Sequence, residues 1–262
     1  MNRMIATLAV VTSIFLGFPA VSLAATVPMT QIQSGDLVRG ATFSAVYYVG
    51  KDGFRYVFPN DKTYFTWYSN FDSVKWITDA DLATLQIGGN VTYKPGARMV
   101  KINSDPKVYA VDAGGALRWV TSESLAVSMY GSNWNTKIDD VPDAFFSNYR
   151  SGSDIEVTDD FDPFAATANA DDINDDKSLK AATVLNVSDD FYDNASVSIK
   201  AGTAVRWYNN GVNKHTATAN DLSWGTGTIQ PGGNFARYFN EPGSYSYFDS
   251  YHPTMTATLI VE

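Results

Sequence analysis

Short runs of alternating apolar and polar residues, separated by Gly, Pro, Asn and Asp, fill most of the chain after about residue 35. Such runs predict β-strands joined by tight turns. Two stretches are near copies: Val46–Phe58 reads VYYVGKDGFRYVF, and Val108–Val120 reads VYAVDAGGALRWV. Each has strand-like residues, then a turn (Lys51-Asp52-Gly53 or Asp112-Ala113-Gly114-Gly115), then a second strand carrying Arg55 or Arg118. That order predicts a β-hairpin in each. The match continues through Tyr68 and Tyr130, through Ile77-Thr78-Asp79 and Ile138-Asp139-Asp140, to Gly88-Gly89 and Ser151-Gly152. The offset stays near 62 residues, as from Val46 to Val108, which is the signature of an internal repeat. A short helix is expected after each acidic cap, at Asp79-Ala80-Asp81-Leu82 and Asp140-Val141-Pro142-Asp143. Residues 35–153 therefore read as two β-hairpin-containing repeats with short helices.

The pattern changes over 154–180. Nine acidic residues, from Asp154 to Asp176, face only Lys177 and Lys180, and aliphatics are few. Like charges repel and extend a chain, so this segment is expected to be an acidic linker that lets the flanking domains tumble semi-independently. A calcium loop would need a central Gly and a closing Glu, which Asp171-Asp172-Ile173-Asn174-Asp175-Asp176 lacks. Residues 181–262 return to short strand patterns. Turns at Ala201-Gly202, Asn209-Asn210-Gly211, Pro231-Gly232-Gly233 and Pro242-Gly243 separate them, which predicts a Greek-key sandwich. The fold class is mainly β.

Composition narrows the chemistry. At 262 residues, 45% hydrophobic and 14% aromatic, the chain can pack two modest domains. It has no cysteine, which excludes disulfides, thiolate metal sites and cysteine nucleophiles. A net charge of −9 repels phosphate backbones, so no nucleic-acid partner is expected. Arg3, the apolar run Met4–Phe18, and Ser22, Ala24 and Ala25 read as a signal peptide over 1–24, cleaved after Ala24, so the protein is expected to be exported. No nucleophile elbow, HExxH or phosphate-binding glycine loop occurs, and nothing selects a carboxylate pair for hydrolysis, so no enzyme is expected.

The two histidines, His215 and His252, both fall in the last 82 residues, 181–262. His252 lies in Asp249-Ser250-Tyr251-His252-Pro253-Thr254-Met255, with Asp, His and Met spaced by three. Parity puts Tyr245, Tyr247 and Asp249 on one strand face, with Ser244 and Ser246 on the other. The aromatic face should point inward. An inward carboxylate costs several kcal/mol unless paired or metal-bound.

The order IKAGTAVRWYNN, NKHTAT and IQPGGNFARYFNEPGSYSYFDSYHPTM resembles a cupredoxin of the plastocyanin or amicyanin type over nearly all of residues 181–262. The resemblance implies a copper-binding β-sandwich with His215 as first ligand, His252 as second, and Met255 as a weak axial thioether. Asp249 stands where the family has cysteine, and Thr216 where it commonly has Asn. A hard carboxylate in place of a soft thiolate implies a non-blue site that favours Cu(II) or Zn(II) and weakens electronic coupling. The resemblance thus implies one copper ion, with zinc as the alternative, and a redox partner protein if electrons are transferred. The alternative reading is a metal-free or zinc-binding sandwich serving as an envelope module. The repeats are similar to a hairpin repeat of many exported bacterial proteins, which implies a cell-envelope partner for 35–153. Their aromatics (Tyr47, Tyr48, Phe54, Tyr56, Phe58) offer either a glycan-binding face or simply core.

Overall fold

Two five-stranded sheets account for the first part of the chain, and they share one strand order. The computed structural model describes residues 25–102 and 104–262, so the signal peptide expected over 1–24 lies outside the described residues. In the first sheet the order is Val74–Ile77, Leu37–Gly40, Tyr47–Val49, Arg55–Val57, Ile87–Asn90. In the second it is Ile138–Asp140, Met99–Ile102, Asp105–Asp112, Ala116–Trp119, Arg150–Ser151. The expected hairpins are the antiparallel pairs Tyr47–Val49 with Arg55–Val57 and Asp105–Asp112 with Ala116–Trp119. The expected short helices form at Asp79–Thr84 and Asp143–Phe146. Two further helices, Asp61–Trp67 and Glu123–Tyr130, were not anticipated. Their signals are the side-chain caps Asn60, accepting from Thr63 N at 2.8 Å, and Ser122, accepting from Leu125 N at 3.4 Å. Tyr48, Phe54, Tyr56 and Phe58 are buried in one cluster, so these aromatics are core.

The acidic segment is not the extended, solvated linker that its charge suggests. Ile155 bridges to Val120 and is fully buried, and Phe161 packs in the core of the second unit. Arg118 of the second hairpin donates to the carbonyls of Ser153 and Asp160 at 3.0 and 2.6 Å. The acids cap helices. Asp162 accepts from Phe164 N and Ala165 N at the start of Pro163–Asn169, and Asp172 accepts from Asp175 N at the start of Ile173–Asp176. This last turn is wedged between the two hairpins: Asn174 Oδ1 accepts from Lys51 N at 2.8 Å, and Asp176 Oδ1 from Gly114 N at 2.8 Å. Average charge predicts repulsion, but the carboxylates of Asp160, Asp162, Asp172 and Asp176 meet backbone N–H donors, which offsets it.

Asp176 is buried, and burial pushes its pKa above the ordinary aspartate value, against the pull of the Gly114 amide, Lys177 and Arg150. Between the unfolded and native pKa values the native state holds more protons, so this group lowers stability as pH rises through that window. Asp176→Asn keeps an acceptor for Gly114 N. It is expected to be at least as stable as wild type at pH 7 and to flatten the decline above about pH 4 in denaturant titrations. An unchanged slope would rule out this assignment.

The C-terminal residues form a sandwich of two sheets. One runs Thr183–Val187, Thr203–Asn209, Asn234–Phe239; the other runs Ser196–Ile199, Thr256–Val261, Gly243–Phe248, Thr218–Ala219. Alternation directs Val205 and Trp207 inward to meet Tyr247, Ala257 and Leu259, and Trp207 is fully buried. The opposite face of the first sheet is partly covered, although Val184 and Tyr208 stay exposed on it. Ala204, Ala236 and Tyr238 pack with Tyr48, Phe54, Tyr56 and Ile173 of the first unit. Tyr56 and Tyr238 both donate to the buried carboxylate of Asp52, and Arg206 donates to the Gly53 carbonyl. Gly53 has φ +84°, and a Cβ there would collide with the Arg206 guanidinium, so the turn needs glycine twice over. Gln86 pairs with both backbone groups of Ala236, as a neighbouring strand would.

Candidate metal centre

The strand Thr203–Asn209 delivers the chain to a turn that Asn209 organises. Its Nδ2 donates to the carbonyls of Asn213 and Ile229 at 2.8 and 2.9 Å, and its Oδ1 accepts from Gly211 N at 2.9 Å. His215 follows, held by a two-way backbone bridge with Ile229, and it is fully buried. The strand Gly243–Phe248 delivers Asp249. As parity requires, Tyr247 and Asp249 are buried while Ser244 and Ser246 are exposed. The loop after Asp249 closes on itself: His252 N donates to Asp249 O at 3.2 Å, Met255 N to His252 O at 2.8 Å, and Asp249 N to Met255 O at 3.0 Å.

These turns bring together three of the four residues singled out in the sequence. His215 Nδ1 lies 2.7 Å from Asp249 Oδ2, and His252 Nδ1 lies 3.1 Å from the same oxygen. The two imidazole centroids are 5.3 Å apart, and one donor atom from each of the three residues falls within 4.8 Å of the others. His252 is 40% exposed and forms the solvent-facing side; His215 and Asp249 are sealed. Met255 is buried, with its side chain in the sandwich core cluster and its backbone closing the loop.

The carboxylate is asymmetric. Oδ1 accepts from Thr216 N, Thr216 Oγ1 and Tyr251 N at 3.0, 3.3 and 3.0 Å, whereas Oδ2 faces only the imidazoles. Thr216 is fixed in turn, because its hydroxyl accepts from Ser250 N at 2.8 Å. Burial is the strongest single influence on the Asp249 carboxyl and pushes its pKa up. Together, however, the donors His215, Tyr251, His252 and Thr216 outweigh it and hold the carboxyl below its usual range. Asp249 is thus an anion with one oxygen anchored and the other presented between two nitrogen donors. A cation accepting one oxygen and two imidazoles fits this arrangement, and so do two Nδ1–H hydrogen bonds.

Two participants were missed in the sequence. In the sequence Thr216 is only a departure from a family pattern, and Asp189 carries no signal of a role at the site. Asp189 Oδ1 lies 3.4 Å from His215 Nε2 and also accepts from Val212 N and Asn213 N at 2.9 and 3.0 Å. No spacing rule would have found Asp189, since it stands on a different segment, after the strand Thr183–Val187.

No protein-family model matches the chain, and no curated protein matches it. Among solved structures the likeness is to amicyanins. The crystal structure of amicyanin from Paracoccus versutus is 34% identical over 31% of this chain and 81% of that one, with a TM-score of 0.29. A reduced Cu(I) form of an amicyanin mutant at pH 4 is 24% identical over 32% of this chain and 85% of that one, with a TM-score of 0.30. The Cu(I) form of a second amicyanin mutant gives the same four values. The region of similarity is about a third of this chain.

Proposed function

We propose that the protein is an exported, cupredoxin-like metal-binding protein in which His215 Nδ1, His252 Nδ1 and Asp249 Oδ2 would hold one copper ion, with the Met255 thioether as a weak fourth donor. The observation that carries this reading is the convergence of both Nδ1 atoms on a single buried carboxylate oxygen, with His215 sealed and His252 facing solvent. Two imidazoles and a carboxylate form a hard, borderline donor set that suits Cu(II) or Zn(II) better than Cu(I). The site therefore favours metal binding over fast electron transfer, and a redox partner would exchange electrons more slowly than with a thiolate site. The chain acts by binding rather than by catalysis, and the two N-terminal units place it at the cell envelope.

A second reading has its own support. Two Nδ1–H donors satisfy Asp249 Oδ2 without any ion, which is what a metal-free sandwich would need.

Copper titration of the protein recovered from producing cells, with its first residue expected to be Ala25, separates the two readings. Electron paramagnetic resonance should show one Cu(II) with nitrogen superhyperfine structure, abolished by His215→Ala and weakened by His252→Ala. Binding at ~100 Kd free copper should raise unfolding stability by about 2.7 kcal/mol. Absence of stoichiometric copper, or a signal indifferent to both substitutions, would leave the metal-free reading standing.

A further inference from the structure

His215 has a partner on each side of its ring. Nδ1 faces Asp249 Oδ2 at 2.7 Å, and Nε2 faces Asp189 Oδ1 at 3.4 Å. The ring is fully buried, so an Nε2–H without an acceptor would forfeit roughly 1–3 kcal/mol. When Nε2 carries the hydrogen, Asp189 Oδ1 is the acceptor it faces among the described residues. That oxygen is itself fixed, because it accepts from Val212 N and Asn213 N in the turn that leads to His215. Gly211 closes the arrangement, since a Cβ there would lie 2.2 Å from the same oxygen.

We propose that Asp189 is the positioning residue of the metal centre: by accepting the Nε2–H of His215 it fixes the tautomer in which bare Nδ1 faces the ion, and it sets the plane of the ring. The inference rests on the metal-binding reading above. Three features support it physically. Imidazole donates to a metal from one nitrogen only when the hydrogen sits on the other, and a carboxylate at the remote nitrogen both holds that hydrogen and strengthens the donor. The contact is long and shared with two amides, which makes it an orienting interaction more than a tight ion pair. Asp189 is also one-third exposed and is joined to the ring through a turn of the backbone, so it steers the ligand without competing for the ion.

The test uses the full chain and Cu(II) alone as the probe. Asp189→Asn keeps an oxygen for Val212 N and Asn213 N but removes the charge; Asp189→Ala removes both. Electron spin-echo envelope modulation reads the remote nitrogen of each copper-bound imidazole, and its quadrupole frequencies depend on the hydrogen bond made there. Wild type should show two distinct remote nitrogens. In Asp189→Asn one of them should shift while the other stays, with copper held several-fold more weakly. In Asp189→Ala the affinity should fall by roughly 10–100-fold. A residue that merely anchors the turn predicts that Asp189→Asn leaves both frequencies and affinity at wild-type values, and that result overturns the proposal. A wild type that binds no copper overturns the metal reading itself. Copper binding that needs His215 but ignores both Asp189 variants overturns only the positioning role.

Discussion

Asp249→Ala is expected to destabilise the metal-free protein by about 3–5 kcal/mol, the range for breaking a buried charge network by removing one partner. The carboxylate is fully buried and receives five donors: Thr216 N, Thr216 Oγ1, Tyr251 N, His215 Nδ1 and His252 Nδ1. Truncation would leave the Thr216 and Tyr251 amides and a sealed imidazole without an acceptor, and each such group bears its own desolvation cost. Copper should be lost as well, because two imidazoles alone make a poor site. Asp249→Cys gives the opposite spectroscopic outcome. A thiolate there can still accept from Thr216 N, and with the two histidines it supplies the soft trigonal donor set of a blue centre. Copper-loaded Asp249→Cys should acquire an intense visible charge-transfer band that wild type lacks. Denaturant unfolding of the Ala variant and absorption spectra of the Cys variant check the two halves of this expectation. A colourless, copper-loaded Cys variant would mean that the three side chains do not converge on one ion.

The second large effect lies far from the histidines. Ile173→Ala should cost about 2–5 kcal/mol, as large-to-small changes in sealed cores do. Ile173 is 1% exposed and shares a cluster with Leu37, Tyr48, Phe54 and Tyr56 of the first unit and with Ala204 and Ala236 of the sandwich. The cavity would loosen the turn Ile173–Asp176, which accepts the Lys51 amide through Asn174 and the Gly114 amide through Asp176. Hydrogen exchange at Lys51 and Gly114 should therefore accelerate together. A cost below about 1 kcal/mol, the ordinary effect of a point substitution, with both amides still protected would show that this segment is the passive spacer its charge suggests. For the same reason the isolated residues 181–262 should be less stable than in the full chain, because Ala204, Ala236 and Tyr238 would meet water and the hydrogen bonds to Asp52 and Gln86 would be lost.

Local pattern settled what depends on neighbours along the chain. Alternation put Asp249 on the inward face behind Tyr245 and Tyr247, because successive side chains of a strand point to opposite sides whatever surrounds it. The three-residue spacing to His252 brought that ring to the same oxygen, since a loop this short has to fold back. The hairpins formed where strand and turn residues called for them. The helices Asp61–Trp67 and Glu123–Tyr130 were also local, signalled by Asn60 and Ser122 at their caps.

What the tertiary structure decided is which distant groups meet. Charge along 154–180 reports average repulsion, and it carries no information about the particular amide each carboxyl or carboxamide will find. Lys51 and Asn174 meet across 123 positions, and Gly114 and Asp176 across 62, so the segment became a wedge only once both hairpins were in place. Asp189 likewise acquires meaning only when the turn at 211–213 is folded over it, 26 positions before His215. Strand alternation aimed a carboxylate inward. The partners that keep it charged, and the second carboxylate behind His215, come from side chains whose directions no local rule fixes, because a hydrogen bond depends on position to within a fraction of an ångström and on burial by the whole fold.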